Sequence, residues 1–116
     1  MTRRNVATQP WPAATRASAD LVPQRCTGVR GVEIDDESVL YDERDGRLHL
    51  LNWSASAVWW SINGTATVED LATALATRFH AEADAMRGDV ITLLDVLGAE
   101  QLVVAVEPAA ARSNRG

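Results

Sequence analysis

The dipeptide Asp45-Gly46, set between two short apolar runs, constrains the fold of this chain more than any other feature. An Asp-Gly pair accepts positive φ at little cost and joins antiparallel strands. "SVLYDE" (38–43) precedes the turn "RDGR" (44–47), and "RLHLLN" (47–52) follows it. Alternation puts Val39 and Tyr41 on one face of the first run. In the second, Leu48 and Leu50 share one face, and His49 and Leu51 the other. Upstream, "TGVRGVEID" (27–35) alternates loosely through Val29, Val32 and Ile34. The expectation is a three-stranded antiparallel meander.

After Leu51 the period changes from two to 3.6. Asn52 or Ser54 can cap a helix running to about Asn63, with Ala55, Val58, Trp59 and Ile62 as its buried stripe. Asn63-Gly64 ends it, since both tolerate the left-handed conformation. Thr67 caps a second helix, and Asp70 sits at the fourth place of a capping-box-like pattern. Its stripe is Val68, Leu71, Ala72, Leu75 and Phe79. A polar stretch (80–89) leads into a third helix with Met86, Val90, Leu93, Leu94 and Leu97 on one face. "QLVVAV" (101–106) is a short apolar run, a strand or an extended cover. The predicted fold is therefore α+β and winged-helix-turn-helix-like: a three-stranded antiparallel sheet followed by three helices.

The 116 residues fit one domain. Residues 1–25 are rich in Ala, Thr, Pro and Arg without visible period, and read as a flexible basic tail. Trp11, between two prolines, is its odd feature: a chance aromatic, or a docking anchor for a partner. Residues 26–107 form the expected domain, and 108–116 a C-terminal tail. Charge is divided unevenly, with four Arg and one Asp in 1–25 but five Arg against fifteen acids in 26–107. A folded part this acidic repels phosphate backbones, which argues against nucleic acid as a partner. No apolar run approaches membrane-spanning length, so no membrane partner is expected. Arg3 and Arg4 have no apolar segment behind them, which argues against a secretory signal, and cytoplasmic residence is the expectation.

A catalytic reading finds little to stand on. His49 and His80 are the two histidines, and Cys26 is the single cysteine, so neither an internal disulfide nor a thiolate metal site is available. Ser54 and Ser56 lie in the first turn of a helix, where capping explains them. The acidic runs 33–37 and 42–45 lack the oxygen spacing and central glycine of a calcium loop and read as solvated turns. Gly28 and Gly31 precede no helix, so no phosphate-gripping loop is present. No enzyme activity, cofactor or metal is expected. A surplus of apolar surface remains instead. The third helix carries Ile91 beside its stripe, and the third strand is apolar on both faces. An open edge strand invites pairing with an extended peptide. Alternatively, the run 101–106 covers it in cis.

The segment "VLYDERDGRLHLLNWSASAVWWSING" resembles coenzyme PQQ synthesis protein D (PqqD) and its relatives. The resemblance rests on Asp42, Gly46, Leu51-Asn52, Ala55, Val58-Trp59 and Gly64, and extends through "TVEDLATALATRF" and "DVITLLDVL" to cover roughly 28–104. It implies a recognition element for ribosomally synthesised, post-translationally modified peptides. Such a domain binds the leader of a precursor peptide along the third strand and against the third helix. It then presents the precursor to a modifying enzyme, such as a radical S-adenosylmethionine enzyme or a leader peptidase. The implied peptide-binding residues are Arg47, Leu48, His49, Leu50 and Leu51 on the strand, with Arg87, Val90, Ile91, Leu94 and Asp95 on the helix. Val90 and Leu94 also suit the core. The chain departs from the family pattern at Glu100-Gln101, where a glycine is common, and at Trp60, which adds a second aromatic after Trp59.

The leading expectation is thus a non-catalytic peptide chaperone, a monomer or a strand-exchanged dimer. Two rivals stand beside it. One is a winged-helix nucleic-acid binder using the basic arm. The other is a subunit that stabilises an enzyme through Trp60 and Trp11.

Overall fold

A computed structural model describes residues 8–12 and 20–106. The expected meander forms from β3 (Val29–Ile34), β4 (Glu37–Asp42) and β5 (Arg47–Leu51), paired antiparallel in that order. Gly46 takes φ +75° in the second turn, and its N–H donates to the Asp42 carbonyl at 2.8 Å. Asp35 takes φ +59° in the first turn, a conformation that aspartate tolerates better than most residues.

Three helices follow as α1 (Trp53–Ser61), α2 (Val68–Phe79) and α3 (Ala83–Ala99). The Asn52 side chain accepts from the Ala55 N–H and caps α1. At α2 the Thr67 hydroxyl accepts from the Asp70 N–H while the Asp70 carboxylate accepts from the Thr67 N–H, a reciprocal capping box. The expected α1 stripe of Ala55, Val58, Trp59 and Ile62 is buried throughout. Val68, Leu71, Ala72 and Leu75 of α2 and Val90, Leu94 and Leu97 of α3 close the same core, and Leu40 and Leu51 enter it from the sheet. Burying Trp59 at 1% exposure makes it the largest anchor, a site where truncation to alanine costs ~3–5 kcal/mol.

The chain's ends depart from expectation. A second sheet has the order β1 (Thr8–Pro10), β6 (Val103–Val106), β2 (Val22–Arg25), all antiparallel. The run 101–106 is therefore a central strand and does not cover β5. Where a flexible tail was expected, residues 8–10 and 22–25 make ladder bonds, and Trp11 is 8% exposed inside the core. Trp11 donates from Nε1 to Asp95 Oδ1 at 2.9 Å and lies directly on Gly98, where a Cβ would stand 2.5 Å from its own Cβ. Non-local pairing across the whole chain holds these strands, so no local period could announce them. The described parts of the arm are tied down by these contacts, whereas Arg3, Arg4 and Arg16, on which a nucleic-acid reading of the arm would draw, lie outside the described residues.

Candidate functional site

Alternation gives the β3–β4–β5 sheet two different faces. Ser38, Leu40, Asp42 and Leu51 point inward and are buried, while Val32, Ile34, Tyr41, Leu48 and Leu50 point outward. Trp60 crosses the inward face. It donates from Nε1 to Ser38 Oγ at 2.8 Å, and its ring would stand 3.2 Å from a Cβ at Gly31. Ser38 Oγ in turn shares a hydrogen bond with Ser56 Oγ. Arg25 lies over both Trp59 and Trp60, 5.3 and 5.1 Å from the ring centroids. These contacts give Trp60 a structural place that the α1 stripe did not supply.

Both β3 and β5 are outer strands of their sheet, and among the described residues no strand pairs with either free edge. They differ in how they discourage pairing. β3 carries Arg30, Gly31 and an inward-facing Glu33, features that blunt an edge. β5 reads Arg-Leu-His-Leu-Leu: Arg47, at its start opposite Asp42, and His49, opposite Leu40, are its polar residues on the inward side, and it carries no glycine or acid. Leu48 and Leu50 flank that edge at 65% and 80% exposure.

Helix α3 runs alongside β5 in the opposite sense. At its C-terminal end Glu100 Oε1 lies 3.9 Å from His49 Nδ1. At its N-terminal end Met86, Asp89, Val90 and Leu93 share a cavity of about 280 Å³ with Trp53, Ser54, Ala57, Val58, Leu75, Phe79 and Ala81. Trp53 follows directly after β5, is 56% exposed, and sets its ring edge-on to Phe79 with centroids 5.5 Å apart. The result is an open edge strand whose far end drops into an apolar cavity.

The β4–β5 turn is locked to the end of α3. Arg44 donates from Nε and Nη2 to both oxygens of Asp42, at 2.8 and 2.7 Å, and from Nη2 to the Gln101 carbonyl at 2.7 Å. Hydrogen bonding to Arg44 holds the Asp42 carboxyl down at about 2. This explains the acid at the strand end: it positions β5 against α3 and is buried, not offered to a ligand.

The residues singled out in the sequence divide accordingly. Arg47, Leu48, His49, Leu50 and Leu51 do form one outer strand. Val90 lines the cavity from the core side, and Leu94 is sealed at 0% exposure. Arg87, Ile91 and Asp95 occupy the opposite flank of α3. Arg87 forks onto Glu69 of α2, with Nε to Oε1 at 2.6 Å, and also donates to Asp84 at 2.9 Å. That guanidinium depresses the Glu69 carboxyl. Asp95 is engaged by Trp11, and Ile91 is half-buried against the core between them. The flank of α3 turned toward β5 and Trp53 carries Met86, Asp89, Leu93 and Glu100, with Val96 (56% exposed) on the same line by helical spacing. The stripe was legible, but its period alone does not say which side of it meets the strand. The exposed apolar Val96, in phase with Leu93 and Glu100, was the available signal.

Among the described residues no three His, Cys, Asp or Glu side chains gather to hold a metal ion. None of the described helices is long and apolar enough to cross a membrane.

A meander followed by three helices, with one sheet edge open beside the last helix, defines a small α+β module built around that edge. The chain belongs to the PqqD family: the model of coenzyme PQQ synthesis protein D matches residues 37–103, more than half of its length. Among solved structures it is similar to the PqqD truncation of Methylobacterium extorquens PqqCD. That protein is described as a functional, stand-alone recognition element for ribosomally synthesised and post-translationally modified peptides. The TM-score is 0.66 at 25% identity, over 78% of this chain and 96% of that one. It also shares its fold with TbiB1, solved in complex with the TbiA(β) leader peptide, at a TM-score of 0.63 and 21% identity, over 69% of this chain and 93% of that one. No curated protein matches it significantly.

Proposed function

We propose that this chain is a non-catalytic recognition element for a precursor peptide. The leader segment adds as a fourth strand on the free edge of β5 and lays its side chains against the Met86–Leu93–Glu100 flank of α3. The observation that carries this reading is the unguarded apolar edge of β5 beside an open apolar cavity, in a member of the PqqD family. The solved complex of TbiB1 with a leader peptide supports it by analogy of fold. Backbone pairing supplies sequence-tolerant affinity, and the Trp53 cavity supplies selectivity for a bulky apolar leader residue. A separate enzyme then acts on the presented precursor, a radical S-adenosylmethionine enzyme or a leader peptidase, in the cytoplasm where precursors are made.

The test is titration of synthetic leaders from the small precursors encoded in its genomic neighbourhood, read by tryptophan fluorescence and by amide exchange. Binding in the micromolar range or tighter is expected, with new protection of amides in 47–51. Trp53→Ala should weaken it at least tenfold, about 1.4 kcal/mol, without unfolding, because Trp53 is more than half exposed. Arg87→Ala and Asp95→Ala should leave affinity within a fewfold. Flat titrations against every such leader would sink the proposal.

A further inference from the structure

His49 points inward from the middle of β5, opposite the sealed Leu40, and its side chain is 13% exposed. Its Nε2 is buried, and among the described residues nothing stands within hydrogen-bonding distance of it. Its Nδ1 turns toward Glu100 Oε1 at 3.9 Å, too far for a direct hydrogen bond. The Glu100 side chain is 45% exposed, and no arginine among the described residues stands within ion-pair distance of it. Arg44 is held by Asp42 and the Gln101 carbonyl, and Arg87 by Glu69 and Asp84. His49 and Glu100 therefore face each other across a gap beside the β5 edge, bonded neither to one another nor to a third side chain among the described residues.

The chemistry of this gap follows from the ring. A neutral imidazole carries one N–H and one bare nitrogen. A buried N–H without an acceptor is the costlier orphan, which makes Nε2 the bare nitrogen. The Glu100 carboxylate draws the proton to Nδ1 for its own reason, the attraction of opposite charge. The pair then presents a donor, Nδ1–H, beside an acceptor, Oε1. A carboxylate brought here meets Glu100 with like charge. An alkyl chain leaves both groups unpaired. A single hydroxyl reaching both at ~2.8 Å would bend its two hydrogen bonds to about 90°. A carboxamide holds an acceptor oxygen and a donor nitrogen side by side and meets both without that bend.

We propose, resting on the reading of β5 as the leader-binding edge, that His49 and Glu100 form a carboxamide subsite that selects an Asn or Gln side chain of the leader. His49 Nδ1–H donates to the carboxamide oxygen, and the carboxamide NH2 donates to Glu100 Oε1. Val96, one turn before Glu100 and 56% exposed, packs against the methylene stem. The groove is thus apolar at its Trp53 end and polar at its Glu100 end. Both ends take inward-facing leader residues, so the carboxamide and the bulky apolar residue stand an even number of positions apart.

The experiment uses the full chain and a leader that binds it in the titrations above. Each residue of the segment paired with 47–51 is replaced in turn by Asn, Gln, Asp, Leu or Ser. At one inward position Asn or Gln should bind at least tenfold tighter than Asp, Leu or Ser. His49→Phe and Glu100→Ala should each shrink that preference to within a fewfold. Glu100→Gln removes the like charge and supplies a donor, so the Asp leader should gain at least tenfold, an exchange that a purely structural role would not produce. Should His49→Phe fail to fold, the two Glu100 variants, at a half-exposed side chain, carry the same test. Leaders that bind with no preference at any position, or with a preference for Ser, overturn the inference and leave the peptide-binding reading standing. A carboxamide preference that survives Glu100→Ala also overturns it. Failure of every leader to bind sinks that reading and this inference with it.

Discussion

Asp42 shows how one side chain sets the geometry of the site. Its two oxygens receive Arg44, and Arg44 reaches on to the Gln101 carbonyl, so the turn, the end of α3 and the start of β6 share one node. The carboxyl is held at about 2, below the ~3.9 of an unfolded aspartate. A depressed carboxyl stabilises the fold above its unfolded value and loses that contribution as pH falls through the folded one. Asp42→Asn is therefore expected to lower the melting temperature at neutral pH. The gap to wild type should narrow between about pH 4 and pH 2. A gap independent of pH in thermal melts would show that Asp42 acts by packing alone. In sequence, Asp42 was legible as part of a family pattern. Its partner was not, because a fork from two residues away looks like any charged hairpin turn.

Elements were readable where their signals are local. Asp45-Gly46, Asn52 and the Thr67–Asp70 box each act within a few residues, and each turn or cap formed where its residue type required. Helix α3 is the counterexample. Gly98 near its end looks like a weak point, since Gly costs ~1 kcal/mol relative to Ala within a helix. Here it is the space into which Trp11 packs. Gly98→Ala should therefore destabilise the protein by ~1–3 kcal/mol through overpacking. In a Trp11→Ala background the same change should become neutral or stabilising by up to ~1 kcal/mol. A double-mutant cycle by chemical denaturation measures the sign reversal. Equal effects in both backgrounds would place Trp11 elsewhere. The flank of α3 that faces β5 was likewise hidden from periodicity, because Met86, Leu93 and Val96 differ from Arg87, Ile91 and Asp95 only by rotation about the helix axis.

At the scale of the molecule, strands from both ends of the described chain close behind the helices. β6 pairs with β1 on one side and β2 on the other, with Thr8 opposite Val106. Removing residues 1–12 takes away β1 and the Trp11 anchor together. A loss of ~3–5 kcal/mol in unfolding free energy is expected, the range for deleting a buried aromatic. Leader affinity of the truncated chain, measured at a temperature where it stays folded, should remain within a fewfold, since β5 and the Met86–Leu93 flank are untouched. An arm that acted as a free tail would leave stability unchanged.

The sequence by itself determined the meander, the three helices and their caps, because each follows from periods and turn chemistry over a few residues. The family pattern added β5 as the edge of interest. Tertiary structure alone decided the second sheet, the burial of Trp11, the seat of Trp60 on Gly31, and which flank of α3 faces β5. Those features are contacts between segments far apart in the chain. Their stability comes from shape and register across the fold, and no local pattern encodes a partner that lies ninety residues away.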